Sequence, residues 1–277
     1  MSATIRFVSA SSFTLDAFAN IYSRSFENYF YPMAQTTEGF AGRVRTEQQD
    51  LYRSVVMLVD DVPAGQATLA LRGARAWCGG FGIVPEFRGR KLGRPLFAEF
   101  VAQARLAGAK TLQLEAVTRN TPALSVYTGA GMCTTRELRL LDWVRDSDSP
   151  LPPSHLPAQP ANMPAITECF HRLHPVYPGW GRELPQLLMH TGLLQLQLTQ
   201  ANRMAAYVLF WVKDGSAKIA DLCAETPEQA AQLLAELQTY YAKIVSTNEP
   251  ADNPINTAFD PLGFREFDRQ YELWMDL

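Results

Sequence analysis

The chain has little of what would mark several functional classes. Its formal net charge is only −3, from 25 Lys and Arg against 28 Asp and Glu, so it lacks the basic excess of a nucleic-acid or anionic-membrane binder. Its four cysteines, Cys78, Cys133, Cys169 and Cys223, form neither a CxxC pair nor a zinc spacing. The simplest reading of that scatter is a reduced, cytoplasmic setting. No run is long and apolar enough to span a bilayer. The N-terminus passes into strand-like Thr4–Val8 with no basic and apolar leader. Glu168, His171 and His174 share a spacing of three, but no fourth ligand is evident and no metal is expected.

What is present suits a globular protein with sizeable cores. Hydrophobic residues make up 47% and aromatics 11% of 277 residues, enough for one large domain or two ordinary ones. Proline crowds residues 149–164, where fixed φ angles and missing donors exclude a helix or a central strand. The expected organisation is therefore a domain over 1–148, a linker over 149–164 and a second domain over 165–277.

The first half reads as mixed α/β. Strands are expected over Thr4–Val8, Ser54–Val59, Val62–Leu71, Arg75–Val84, Thr111–Val117 and Met132–Trp143, with a hairpin turn at Asp60-Asp61. Helices are expected over Phe13–Phe26, Thr37–Gln48, Pro95–Ala107 and Thr121–Gly129, with Gly108 capping the third. The second half repeats part of that order. A hairpin joins Arg203–Val212 to Ala217–Ala224, Thr226-Pro227-Glu228-Gln229 opens a helix as a capping box, and strands follow at Lys243–Ser246 and Phe264–Asp276. Tyr127-Thr-Gly-Ala-Gly131-Met132 matches Phe259-Asp-Pro-Leu-Gly263-Phe264, so the halves read as divergent repeats.

The chemistry concentrates between residues 82 and 95. A strand runs into Pro85-Glu86-Phe87-Arg88-Gly89-Arg90-Lys91-Leu92-Gly93-Arg94 and then a helix. Glycines let backbone approach a ligand closely, and free N–H groups at a helix N-terminus stabilise anions. Four cations in a slightly acidic chain ask for a small anionic ligand. Gly79, Gly80 and Gly82 crowd the preceding strand and point to a bulge or a close backbone approach.

Val84-Pro85-Glu86-Phe87-Arg88-Gly89-Arg90-Lys91-Leu92-Gly93 resembles the acetyl-CoA loop of the GCN5-related N-acetyltransferases, whose pattern is Gln/Arg-x-x-Gly-x-Gly/Ala. Arg88 fills the first position and Gly93 the last, while Lys91 replaces the middle glycine. Asn120-Thr-Pro-Ala123 and Tyr127-x-x-x-Gly131-Met132 follow in the family's order and spacing. The resemblance is clear over residues 80–133. It implies an α/β (α+β) fold of two tandem acyl-CoA N-acyltransferase-like domains, each a mixed, mostly antiparallel sheet flanked by helices. It also implies acetyl-CoA as co-substrate and an amine acceptor, small molecule or peptide. Neither nucleic acid nor membrane is expected as a partner, and the protein is expected as monomer or homodimer.

The residues implied for the cofactor are Ile83, Val84, Arg88, Gly89, Arg90, Lys91, Leu92, Gly93, Arg94, Asn120, Ala123 and Tyr127. The loop would hold the pyrophosphate, and pantetheine would pair with the strand end near Ile83 and Val84. Tyr127 is the candidate acid for the departing thiolate, against the reading of an ordinary core tyrosine. Glu115 is the candidate base, with Glu86 and solvent as competitors. Asn120 either caps the next helix or touches the cofactor. The aromatic run Tyr22, Phe26, Tyr29, Phe30 and Tyr31 is either core or an acceptor-pocket wall. In the second half no basic glycine loop precedes Pro227 and Phe259 stands where Tyr127 stands, so that half reads as degenerate. The alternative to an acetyltransferase is an acyl-CoA-binding sensor or scaffold that has lost turnover.

Overall fold

The computed structural model describes residues 3–146 and 158–277. The chain forms two compact units, Met1–Thr135 with Glu272–Leu277, and Arg136–Tyr271. The first contains β1 (Ile5–Ser9), α1 (Leu15–Ser25), α2 (Thr37–Thr46), β2 (Val55–Val59), β3 (Val62–Arg72), β4 (Arg75–Ile83), α3 (Gly93–Leu106), β5 (Thr111–Val117), α4 (Thr121–Gly129) and the start of β6 (Cys133–Val144). The second contains the rest of β6, β7 (Gln159–Pro160), α5 (Met163–Leu173), α6 (Leu184–Leu187), β8 (Leu194–Gln200), β9 (Arg203–Lys213), β10 (Ser216–Ala224), α7 (Pro227–Tyr240), β11 (Lys243–Pro250) and most of β12 (Arg265–Asp276).

In the first unit β1, β2, β3 and β4 pair antiparallel in sequence order, and β5 joins β4 in parallel. Asp60 and Asp61 both take positive φ, 48° and 63°, as the two-residue β2–β3 turn requires. Thr14 caps α1 by accepting the Ala17 N–H, and Thr36 caps α2 through Gly39. Both faces of β2 are buried. Val56 and Leu58 pack with Phe18, Tyr22 and Phe40 of α1 and α2. α3 lies on β2 and β3 through its stripe Leu96, Phe97, Phe100, Val101 and Ala104. Gly108 takes φ 82° just past α3 and donates its N–H to Arg105 O, the expected C-terminal cap.

The second unit repeats this plan. β9 and β10 form an antiparallel hairpin, and β11 joins β10 in parallel. Strand order is β6-β11-β10-β9-β8-β7. Both halves of the Thr226–Gln229 capping box form at the start of α7. Leu233, Leu234 and Leu237 of α7 pack on one face of the sheet, while Ile166, Phe170 and Leu173 of α5 pack with Tyr207 and Leu209 on the other.

Three features depart from expectation. α5 and β8 are unannounced; for α5 the reason is that Pro164 serves as a first-turn residue behind an Asn162 cap rather than as a breaker. Residues 149–157 of the expected linker lie outside those described, and helix begins at Met163 within the stretch predicted to exclude it. The compact units divide inside β6 and β12, not in the proline stretch. The chain end Glu272–Leu277 belongs to the first unit, where the Leu277 N–H donates to Lys110 O at 2.9 Å. No helix among the described residues is long and apolar enough to cross a membrane.

A buried charged network lies in the second unit. His174 Nε2 is 3.3 Å from Asp221 Oδ1, the Tyr207 hydroxyl donates to Asp221 Oδ2 at 2.6 Å, and Arg182 pairs with Glu249 at 2.6 Å. Burial alone would lower the His174 pKa, but the Asp221 carboxylate and the Phe170 carbonyl raise it overall. Burial pushes Asp221 upward, yet His174 and Arg182 hold it below the usual carboxylate value. The raised histidine stabilises the fold below its ordinary pKa of 6.5, and that contribution is lost as pH rises through the folded value. The lowered aspartate works oppositely, its contribution disappearing as pH falls. Thermal midpoints followed from pH 6 upward should therefore decline more steeply in wild type than in His174→Gln; parallel curves would contradict the assignment.

Candidate active site

The site begins with a defect in β4. Thr68 opposes Gly80 while Leu69 opposes Cys78, so Gly79 is the extra residue of a bulge. Arg43 Nη2 donates to the Gly79 carbonyl at 2.7 Å, and Glu47 Oε2 accepts from Arg43 Nε at 2.9 Å and Gln49 Nε2 at 2.6 Å. β4 pairs with β5 only from Arg75–Thr111 to Trp77–Gln113. Beyond that point the two parallel strands continue without pairing to each other.

A cleft of about 670 Å³ opens beside this parting. It is lined by Phe81, Gly82 and Ile83 of β4, by Gly89, Lys91, Leu92 and Gly93 of the following loop and helix start, and by Asn120 and Ala123 at the α4 start. Residues Ser25–Phe30, from the end of α1 onward, form a further wall. That wall comes close because the β4 glycines have no side chains. A Cβ on Gly82 would lie 2.7 Å from the Ser25 carbonyl oxygen, and one on Gly80 would lie 2.7 Å from the Tyr22 ring.

The loop has the geometry of an anion cradle. Gly89 and Lys91 take φ 75° and 60°. Among the described residues, the N–H groups of Gly89, Arg90, Lys91 and Leu92 make no backbone hydrogen bond. The Leu92 N-cap of α3 offers no side-chain acceptor, which leaves the helix N-terminus open. Lys91 thus adopts the left-handed conformation that a glycine would take there, at a cost of about 1–2 kcal/mol.

The expected site residues are unequally placed. Ile83, Gly89, Lys91, Leu92, Gly93, Asn120 and Ala123 gather at the cleft. Asn120 also caps α4, its Oδ1 accepting the Ala123 N–H at 3.4 Å. Val84 does not line the cleft: it is buried and its N–H goes to Ala64 O at 3.0 Å, so it has no donor left for pantetheine. Arg90 lies over the Phe87 ring at 5.0 Å, and Arg94 is exposed on the first turn of α3. Arg88 lines the cleft, but its guanidinium bonds Ile83 O, Ser25 O and Glu27 O at 2.9, 3.2 and 2.8 Å.

Tyr127 is 6% exposed, with its ring 5.6 Å from Phe81 and 5.1 Å from Phe97. Burial pushes its pKa well above the ordinary value, so the phenol keeps its proton. Glu115 is half-buried on β5 and accepts the Trp77 indole N–H at 2.6 Å. Burial also pushes the Cys78 thiol up to about 12. Sequence reasoning missed the Phe81 lining and the Arg43–Glu47–Gln49 support of the bulge. The Gly79-Gly80 pair signalled the bulge itself, but nothing in a linear reading pairs Arg43 with it. The spacing-of-three trio does not assemble: Glu168 and His171 are exposed, while His174 turns inward to Asp221.

Residues 15–132 match the family model described as acetyltransferase (GNAT) family. The first unit is a GNAT-family domain. Across the whole chain the fold is shared with solved GNAT structures. A GCN5-related N-acetyltransferase from Sphaerobacter thermophilus is 17% identical, with 98% of this chain and 95% of that one covered and a TM-score of 0.70. A tandem GNAT protein from the clavulanic acid biosynthesis pathway is 15% identical, covering 99% and 98%, at 0.69. A putative acetyltransferase from Pyrococcus horikoshii is 14% identical, covering 99% and 89%, at 0.67. No curated protein matches the chain by sequence.

Two substitutions test this geometry. Gly82→Ala forces its new methyl group against Ser25 backbone and should destabilise by about 1–3 kcal/mol; an unaltered urea midpoint would contradict the close approach. Lys91→Gly should stabilise by relieving about 1 kcal/mol of left-handed strain; a lower midpoint would contradict the observed conformation.

Proposed function

We propose that the first unit transfers the acetyl group of acetyl-CoA to a primary amine by direct attack in a ternary complex. One observation carries the reading: a loop with open N–H groups and the parting of β4 from β5 share one cleft. The family supports acyl-CoA-dependent N-acetyl transfer in general. The choice of a primary amine, the direct route and the residue roles are our reading.

The N–H groups of Gly89, Lys91, Leu92 and Gly93, with the Lys91 ammonium, would hold the pyrophosphate, and Arg90 and Arg94 would add positive potential. Arg88 would support the loop through its carbonyl contacts. Ile83 and Gly82 on one side, with Asn120 and Ala123 on the other, would flank the pantetheine. Beyond Trp77, β4 has no ladder with β5, so a strand N–H there is a candidate donor to the oxyanion of the tetrahedral intermediate.

The acceptor arrives as an ammonium and must lose a proton before its lone pair can attack the thioester carbon. Glu115, directly or through a water, is the candidate base. As the C–S bond breaks, Tyr127 would give its proton to the thiolate. Its raised pKa keeps the phenol neutral, and a thiolate leaving into the same desolvated surroundings is raised too. Cys78 supports the direct route: its thiol is buried, directed at Gly80 O and held protonated, a poor acyl carrier.

The second unit is proposed to be degenerate, with no cofactor of its own. Pairing of β10 with β11 ends at Ile219–Ser246, and β10 bulges just after Ile219. Arg182 bonds Ser246 Oγ and Thr247 O of β11 at 2.6 and 2.9 Å, where these strands stop pairing. Phe259, which the sequence match aligns with Tyr127, is fully buried and carries no hydroxyl.

One observation favours the alternative of an acyl-CoA-binding sensor or scaffold: neither Tyr127 nor Glu115 is among the cleft-lining residues. Thiol release from acetyl-CoA, followed across a panel of amines, separates the two readings. Release that depends on one amine supports the enzyme, and binding without release supports the sensor. Tyr127→Phe should lower kcat by about 10²-fold or more and leave acetyl-CoA affinity within a few fold; unchanged kcat would remove Tyr127 from the mechanism.

A further inference from the structure

The family resemblance assigns Arg88 to the cofactor loop, yet its guanidinium faces protein. Nε donates to Ile83 O at the end of β4, and Nη2 donates to Ser25 O and Glu27 O where α1 ends. All three hydrogens of these two nitrogens are thereby committed to carbonyls. A cation at a helix C-terminus is also favoured by the helix dipole. Arg24 pairs with Glu86, so an ion pair also ties the same turn to the same helix end.

The segment held there is the aromatic wall of the cleft. Phe26, Tyr29 and Phe30 form a chain of ring contacts at 5.3 and 5.1 Å. At its far end Arg119, next to the cleft residue Asn120, lies 4.5 Å over the Phe30 ring and 6.0 Å over the Tyr31 ring. Between Phe26 and Thr36 there is neither helix nor strand, and Asn28 takes φ 59°. Side-chain anchors at the two ends therefore substitute for a regular backbone ladder.

We propose that Arg88 is a positioning residue that couples the cofactor loop to segment 26–31, so that seating an acyl donor in the loop fixes the aromatic wall. The proposal rests on the acyl-CoA reading of the cleft. Its consequence is that a donor seated in the loop holds the aromatic segment in place through Arg88. Loss of the Arg88 fork uncouples the two while leaving the N–H groups of the cradle in place.

Amide hydrogen exchange over residues 26–36, with and without acetyl-CoA, tests this alongside calorimetry on wild type, Arg88→Ala and Arg88→Lys. In wild type, acetyl-CoA should slow exchange over 26–31 by about tenfold or more. In both variants these amides should exchange faster in the free protein. The ligand-induced protection should be lost at saturating acetyl-CoA, to the same extent in both variants. Lysine keeps the charge but cannot span the three carbonyls, so it should behave as alanine does. Weakened acetyl-CoA binding in Arg88→Ala, rescued by lysine and with exchange over 26–31 unchanged, would overturn the proposal and make Arg88 a phosphate ligand. Failure of wild type to bind acetyl-CoA would instead overturn the acyl-CoA reading and the coupling with it. The free-protein exchange comparison distinguishes that failure from a failure of the Arg88 anchor.

Discussion

The parting of β4 from β5 after Trp77 is the constraint on which the cleft of the first unit depends. Two parallel strands that stayed paired would leave no space for a ligand and no free strand donors. The Gly79 bulge accompanies the break, and the Arg43–Glu47–Gln49 cluster satisfies the carbonyl that it displaces. Downstream, Gly80 and Gly82 let α1 lie against the freed end of β4. The loop that follows β4 lines the same cleft through Gly89, Lys91 and Leu92, and α3 begins at its end. Ligand binding by backbone donors needs a rigid, side-chain-poor frame of this kind.

Much of that frame was legible because it rests on local chemistry. β5 and α4 fall at Thr111–Val117 and Thr121–Gly129, the ranges that alternation and the Asn120 cap imply. The turn of the loop after β4 was legible from Gly89, which takes φ 75°. Lys91 shows the limit of motif reading: it departs from the family pattern but takes the backbone angle of the glycine it replaces. Arg88 shows the opposite limit. Its place in the motif is regular, and its guanidinium is committed to carbonyls 61 and 63 residues away in sequence, contacts that no local pattern encodes. α5 was illegible because prolines before and at its start resemble a breaker until the Asn162 cap is seen.

The second unit shows the same strand plan with different side chains at the parting. Its parallel pair also stops early beside a bulge, at Ile219–Ser246. There the chain's own Arg182, His174, Asp221, Tyr207 and Glu249 form a closed network. Buried charges of this kind demand complete pairing, and a network missing one partner would be costly. The expected absence of a basic loop before α7 is therefore half of the difference; the other half is a set of charged side chains at the place where the strands separate. Three of these groups, His174, Asp221 and Glu249, lie far apart in sequence, so the halves looked merely divergent when read linearly.

Together the cradle and the parted strands are proposed to make one acyl-CoA site per chain. Calorimetric titration of acetyl-CoA into the purified protein tests this most directly. A stoichiometry of one, abolished by a bulky substitution at Gly93 and untouched by substitution of Phe259, is the predicted result. Two sites per chain, or no binding by folded protein, would contradict it.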